Sequence, residues 1–239
     1  MGGDMNTYQI QYRFILPDKN VETFDLTFDS ETINLLNNIP EDLPPWTQLQ
    51  FEQCPHCPLK PEKTPYCPLA ANLVKIINHF DGLMSYQDLQ LEVVTTNRTI
   101  SKQTTVQEAL GAMMGLVIPA TGCPHTAYFK PMARFHLPLA GADETIYRAT
   151  SMYLLAQYFL MKENKAPDLD FKGLKRIYQN MQTLNAAIAE RLRVASKTDS
   201  SVNALVLLDM FTLVLPIAIE ESLEEIRFLF KPYLQSNYD

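Results

Sequence analysis

Apolar residues at Tyr8, Ile10, Tyr12, Phe14 and Leu16 alternate with Gln9, Gln11 and Arg13, the period of a strand with one buried face. The alternation stops at Pro17-Asp18-Lys19-Asn20. After one break it resumes at Val21, Phe24, Leu26 and Phe28. Period two on both sides of a Pro/Asp/Asn turn predicts a hairpin over 7–16 and 21–28. Two strands alone are not stable in water. Residues 89–98 supply a third, with Leu91, Val93 and Thr95 alternating against Glu92, Val94 and Thr96. Residues 47–53 are read as a short edge strand.

The period then becomes helical. Residues 69–80 form a helix with Pro68 as its first residue. Residues 104–117 form another, capped by Thr104 or Thr105, with Glu108 at capping-box distance. Asp143 is the expected N-cap of a helix ending near Lys162. Over 170–194, Phe171, Leu174, Ile177, Met181, Leu184, Ile188 and Leu192 are spaced 3, 3, 4, 3, 4 and 4, and the opposite face is polar; this is an amphipathic helix. A last long helix spans 200–230 and is kinked at Pro216. The expected class is α+β: a small N-terminal antiparallel β element, a hairpin plus at least one more strand, packed on a C-terminal helical bundle. The boundary falls between 1–103 and 104–239, within one compact unit. No repeat of 20–50 residues is visible.

Composition changes this picture at one place. The 239 residues include 16 prolines against 8 glycines, and all four cysteines precede a proline. Residues 40–68 hold eight of the prolines and three of the cysteines, in Cys54-Pro-His-Cys57 and Tyr66-Cys67-Pro68. Proline fixes φ and removes a backbone donor, so this stretch is neither a helix nor a central strand. An irregular segment of such length is functional or disordered, and its cysteines argue that something orders it. Cys123 lies in a second proline-rich irregular segment, 118–142.

Two cysteines three positions apart on a tight turn can share one metal ion. Cys67 is near enough in sequence to join them, and Cys123 is the leading fourth ligand, with His56, His125 and His136 as alternatives. Such a set is a closed structural zinc site; an iron–sulfur cluster suits the same count. Thiol redox chemistry would need a helix running on from Cys-Pro-His-Cys, which Pro58, Pro61 and Pro65 forbid. The competing view is that the cysteines are small buried apolar groups. In that case the site is a polar set: Arg134, His136, Glu144 and Arg148, for acid/base or anion-binding work. That set also fits a capped helix start with an ion pair. His79 suits a helix C-terminus. Glu220, Glu221, Glu224 and Glu225 suit a solvated face. Tyr147, Tyr153, Tyr158 and Phe159 suit core packing.

Charge excludes some partners. The first 120 residues carry 7 Lys and Arg against 14 Asp and Glu, and the rest 13 of each. No basic cluster offers phosphates a footprint, so neither nucleic acid nor an anionic membrane is an expected partner. The N-terminus lacks an apolar run of signal type. The most apolar stretch, 204–219, is short of a bilayer span. A cytoplasmic setting, where thiols stay reduced, is expected.

Tyr12-Arg-Phe, Pro45-Trp-Thr, Cys54-Pro-His-Cys-Pro-Leu, Tyr66-Cys-Pro, Gly122-Cys-Pro, Phe135-His-Leu-Pro and Glu144-Thr-Ile-Tyr-Arg, with Tyr153-Leu-Leu-Ala-Gln-Tyr-Phe, resemble a bacterial family of uncharacterised proteins, a domain of unknown function. The resemblance runs from Tyr8 to the last helix. It implies membership and a bacterial cytoplasmic setting, and no mechanism. The expected function is a regulatory or interaction protein in which Cys54, Cys57, Cys67 and Cys123 hold zinc. A protein partner or a homodimer through the last helices is compatible with this.

Overall fold

The computed structural model describes residues 6–196, 198–206, 209 and 223–235. Four strands form one antiparallel sheet in the order β2-β1-β3-β4: β1 (Thr7–Ile15), β2 (Val21–Asp29), β3 (Asp88–Thr95) and β4 (Thr99–Thr105). The hairpin registers Tyr12 against Phe24, and β3 pairs with the other edge of β1, Tyr12 opposite Val93. One face carries Ile10, Tyr12, Phe14, Leu26, Phe28, Leu89, Leu91 and Val93 into the core. The other is a solvated polar ladder, with Gln11 Nε2 donating to Asp25 and Arg13 to Glu92. The fold is α+β, as the alternation predicts.

β4 replaces the expected edge strand. Its residues are mostly exposed and lack the apolar alternation that marks a half-buried strand, so its sequence is silent. Residues 47–53 instead follow a 3-10 turn, Pro45–Thr47, and make one isolated β-bridge, Gln48 with Tyr66, rather than a ladder. Prolines on both sides remove the donors a ladder needs.

Helices α1 (Pro68–Phe80), α2 (Val106–Val117) and α5 (Lys172–Ala195) cover the apolar face of the sheet. Thr105 accepts from the Glu108 amide and caps α2 as expected. Between α2 and α5 lie a short α3 (Lys130–Arg134) and the long α4 (Ala142–Lys162). The N-cap of α4 is Gly141, not Asp143, and its amide donates to Glu144 Oε2 at 2.8 Å. His79 lies in the last turn of α1, as expected, and also faces Glu22 across 2.9 Å. One core cluster runs from Ile10 through α1, α2 and α5 to Leu205; a smaller one joins Ile146, Ala149 and Tyr153 of α4 to Leu174 and Tyr178 of α5. Among the described residues no helix is long and apolar enough to cross a membrane. The Pro216 kink, Glu220 and Glu221 lie outside the described residues; Glu224 and Glu225 are exposed.

Three of the four aromatics assigned to the core are not in it. Tyr153 is buried, but Tyr147, Tyr158 and Phe159 are 49%, 46% and 57% exposed. The buried stripe of α4 runs through Ile146, Ala149, Thr150, Tyr153 and Gln157, and the three aromatics fall outside it.

Candidate functional site

The two proline-rich segments meet. His125 Nε2 contacts the carbonyl of His56 at 2.9 Å, and the two rings lie 4.0 Å apart. Each side of the junction is held by its own turn. On the first, the Cys57 amide donates to the Cys54 carbonyl at 2.9 Å, closing the Cys-Pro-His-Cys turn. The Cys67 amide donates to Thr47, and Cys67 is the N-cap of α1 with Pro68 behind it. On the second, Gly122 turns the chain at φ +87°, where a side chain would be strained. Thr126 Oγ1 then donates to the carbonyls of Ile118 and Cys123.

The sulfurs do not close into a ligand set, contrary to the expectation from the motif. Among the described residues no three His, Cys, Asp or Glu side chains are placed to hold a metal ion. The contact between the loops is made by the two histidines. Cys54 and Cys67 instead pack against the apolar core that contains Cys123. All four thiols are free. They still share one electrostatic neighbourhood. Burial pushes the Cys54 thiol up to about 12, and negative charge on Cys67, Cys123 or Cys57 would raise it further, while Arg191 works the other way. Burial also raises Cys123.

Arg191 is the residue that sequence reading missed. It is 2% exposed, the largest fully buried side chain described. Nη1 donates to the carbonyls of Trp46 and Gln48 at 2.6 and 2.8 Å, and Nη2 to Leu49 at 3.1 Å. These carbonyls flank Thr47, which receives the Cys67 amide. Nε has no partner, and among the described residues no carboxylate pairs with the guanidinium. The acidic groups within its electrostatic reach are Cys67, Cys54, Glu52 and Cys57. A signal was present in the sequence: Ile177, Leu184 and Arg191 are seven apart, which puts a cation on the apolar stripe of α5.

His56 is the second unsatisfied group. Both ring nitrogens are shielded and make no hydrogen bond of good geometry. Burial and the neighbouring His125 lower its pKa, against a small opposite effect from the Asn180 carbonyl.

The polar set is resolved differently. His136 Nε2 and the fully buried Tyr12 hydroxyl share a hydrogen bond. Burial, with Arg148 nearby, pushes His136 down to about 3, so the ring is neutral. Arg148 Nη2 donates to the carbonyls of Met132 and Phe135, closing the end of α3. Glu144 caps Gly141, and Arg134 lies over the Tyr8 ring at 4.5 Å. Each member has a structural partner of its own. His136 stays with Tyr12 and Arg148, away from the ligand set expected of it.

Fold and junction together define an α+β protein built around two docked cysteine-bearing loops. The chain belongs to the family described as a domain of unknown function, DUF6901, whose profile matches residues 10–231. No curated protein and no solved structure matches it.

Proposed function

We propose that this is a regulatory or interaction protein whose loop junction takes up one zinc ion through Cys54, Cys57, Cys67 and Cys123. The observation that carries the reading is Arg191. A buried guanidinium with no ion pair among the described residues, offset by Glu52 only from a distance, is costly by several kcal/mol. Its neighbours at the junction are thiols that become thiolates when a metal displaces their protons. A tetrathiolate zinc site carries two net negative charges, which Arg191 partly offsets. The positive end of α1, at Cys67, acts in the same sense. Because the sulfurs are not yet gathered, uptake on this reading draws the 54–67 turn and the 121–126 turn together. The metal then staples the irregular loop to the helical core and leaves no open position for chemistry.

Zinc titration of the metal-free, reduced protein tests this. Near one equivalent should bind, with protons released on uptake. At zinc a hundredfold above its dissociation constant, the stabilisation is about 2.7 kcal/mol, which is about 5–10 °C in Tm for a chain of this size. Failure to bind zinc, with a Tm unchanged by zinc or chelator, would overturn the reading. A brown protein carrying iron and sulfide would replace zinc by a cluster.

A further inference from the structure

Helix α4 has two faces and only one is used within the described residues. Tyr147, Ser151, Leu154, Tyr158 and Met161 are exposed at spacings of 4, 3, 4 and 3. That is the heptad seam by which one helix packs along another. It lies apart from the buried stripe of Ile146, Ala149, Tyr153 and Gln157. Leu155 and Phe159 widen the seam on one side, 55% and 57% exposed. From Ala149 to Met161 the helix carries thirteen residues without a charge, the depletion that marks the centre of an interface rather than a solvated surface.

We propose that this seam is a self-association surface on which two copies of the chain pack antiparallel about Leu154. The seam is complementary to itself in that direction. Leu154 meets its own copy at the two-fold axis, Tyr147 meets Met161, and the small Ser151 receives Tyr158. The ends match in charge: Asp143 and Glu144 lie in the first turn and Lys162 in the last, so the acidic end of one copy lies beside the basic end of the other, Lys165 being paired with Glu163 in its own chain. A two-fold interface needs such self-complementarity. The area is sufficient. Six large apolar side chains are each 40–57% exposed and together offer about 500–600 Å² per protomer. That is close to the half-share of a small specific interface, about 600 Å². It also reaches the upper range of the largest patch on a typical monomer, about 300–600 Å². This inference is independent of the metal reading.

Sedimentation equilibrium of the full chain at micromolar to near-millimolar concentration is the test, with and without zinc. A dimer is expected, with Leu154→Glu and Tyr158→Glu each weakening it about a hundredfold, as charges placed at the centre of an interface do. Their far-UV spectrum and Tm at low concentration should match the parent. Should these variants fail to fold, two cysteine variants decide. Leu154→Cys should give a 154–154 disulfide dimer under mild oxidation, mapped by peptide mass spectrometry. Glu163→Cys should not, because antiparallel packing puts the two positions about 27 Å apart. A parent that remains monomeric overturns the proposal, whether the seam is then covered by residues of the same chain, by another protein or by nothing. Linkage at both 154 and 163 overturns the antiparallel arrangement.

Discussion

The cysteine junction and the polar set at the start of α4 look alike in the sequence. Both are dense in chemistry-bearing residues within proline-rich chain. In the structure they differ in whether the charged and imidazole groups are satisfied, although the Tyr8 hydroxyl beneath Arg134 also lacks a partner. At α4 every group named has a partner: His136 has Tyr12, Arg148 has two carbonyls, Glu144 has the Gly141 amide. At the junction Arg191 Nε has none, and neither nitrogen of His56 makes a hydrogen bond of good geometry, the Asn180 carbonyl being its neighbouring acceptor. Buried polar atoms are nearly always paired. A satisfied cluster explains itself as architecture, whereas an unsatisfied one points to a partner yet to arrive. On the proposed reading, the polar set at α4 serves folding and the cysteine junction serves ligation.

The largest effect expected from breaking the contrast is at Arg191. Arg191→Met removes three donors from the carbonyls of Trp46, Gln48 and Leu49. The loss should be about 3–5 kcal/mol, or roughly 10 °C in Tm, by thermal melts. Zinc affinity should fall in the same variant, since the offsetting cation is gone. Were stability to fall while zinc binding stayed unchanged, Arg191 would belong with the satisfied groups.

Next comes Cys123→Ser. It should abolish the zinc-dependent rise of about 5–10 °C in Tm. In chelator it should melt within a few degrees of the parent, because the thiol is then only a small buried group. Equal losses with and without zinc would make Cys123 a packing residue.

At α4 the expected signature is a pH dependence. His136 sits well below its ordinary value in the folded chain, at about 3. The unfolded chain therefore binds the extra proton first. Stability from this group is complete above about pH 6.5 and is lost as pH falls toward 3. Urea unfolding between these pH values should show the slope, and His136→Gln should flatten it. A parent with no slope attributable to His136 would mean that the ring is solvated. Arg148→Met should cost about 1–3 kcal/mol through two orphaned carbonyls, without any change in zinc binding. The smallest effect is at the partly exposed Arg13–Glu92 pair, 2.9 Å apart. Removing it should cost no more than about 1 kcal/mol.

Legibility in the sequence followed burial. The hairpin, β3 and the stripe of α5 were readable because one face of each is in the core, so period two and period 3.6 are printed in the residue order. β4 was not, because an exposed edge strand has no apolar face to alternate. The aromatics of α4 misled for a related reason. An exposed apolar face has the same composition as a core stripe, and only the position of Ile146, Ala149 and Tyr153 tells which face is buried. The meeting of the two loops was readable from the four Cys-Pro pairs. The histidine contact that makes it was not, because the sequence does not say which side chain of a turn reaches across. Arg191 stood at a heptad position of an apolar stripe, but a basic residue on a helix is usually a solvated one. Its meaning depends on carbonyls about 140 residues away in sequence.

The most direct test of the central claim is cobalt substitution of the metal-free, reduced protein, followed in the visible spectrum. One equivalent of cobalt should produce the intense bands of tetrahedral thiolate ligation, zinc should displace them, and each of Cys54→Ser, Cys57→Ser, Cys67→Ser and Cys123→Ser should weaken them. A protein that gives no thiolate bands with cobalt, or bands that survive all four substitutions, would contradict the account.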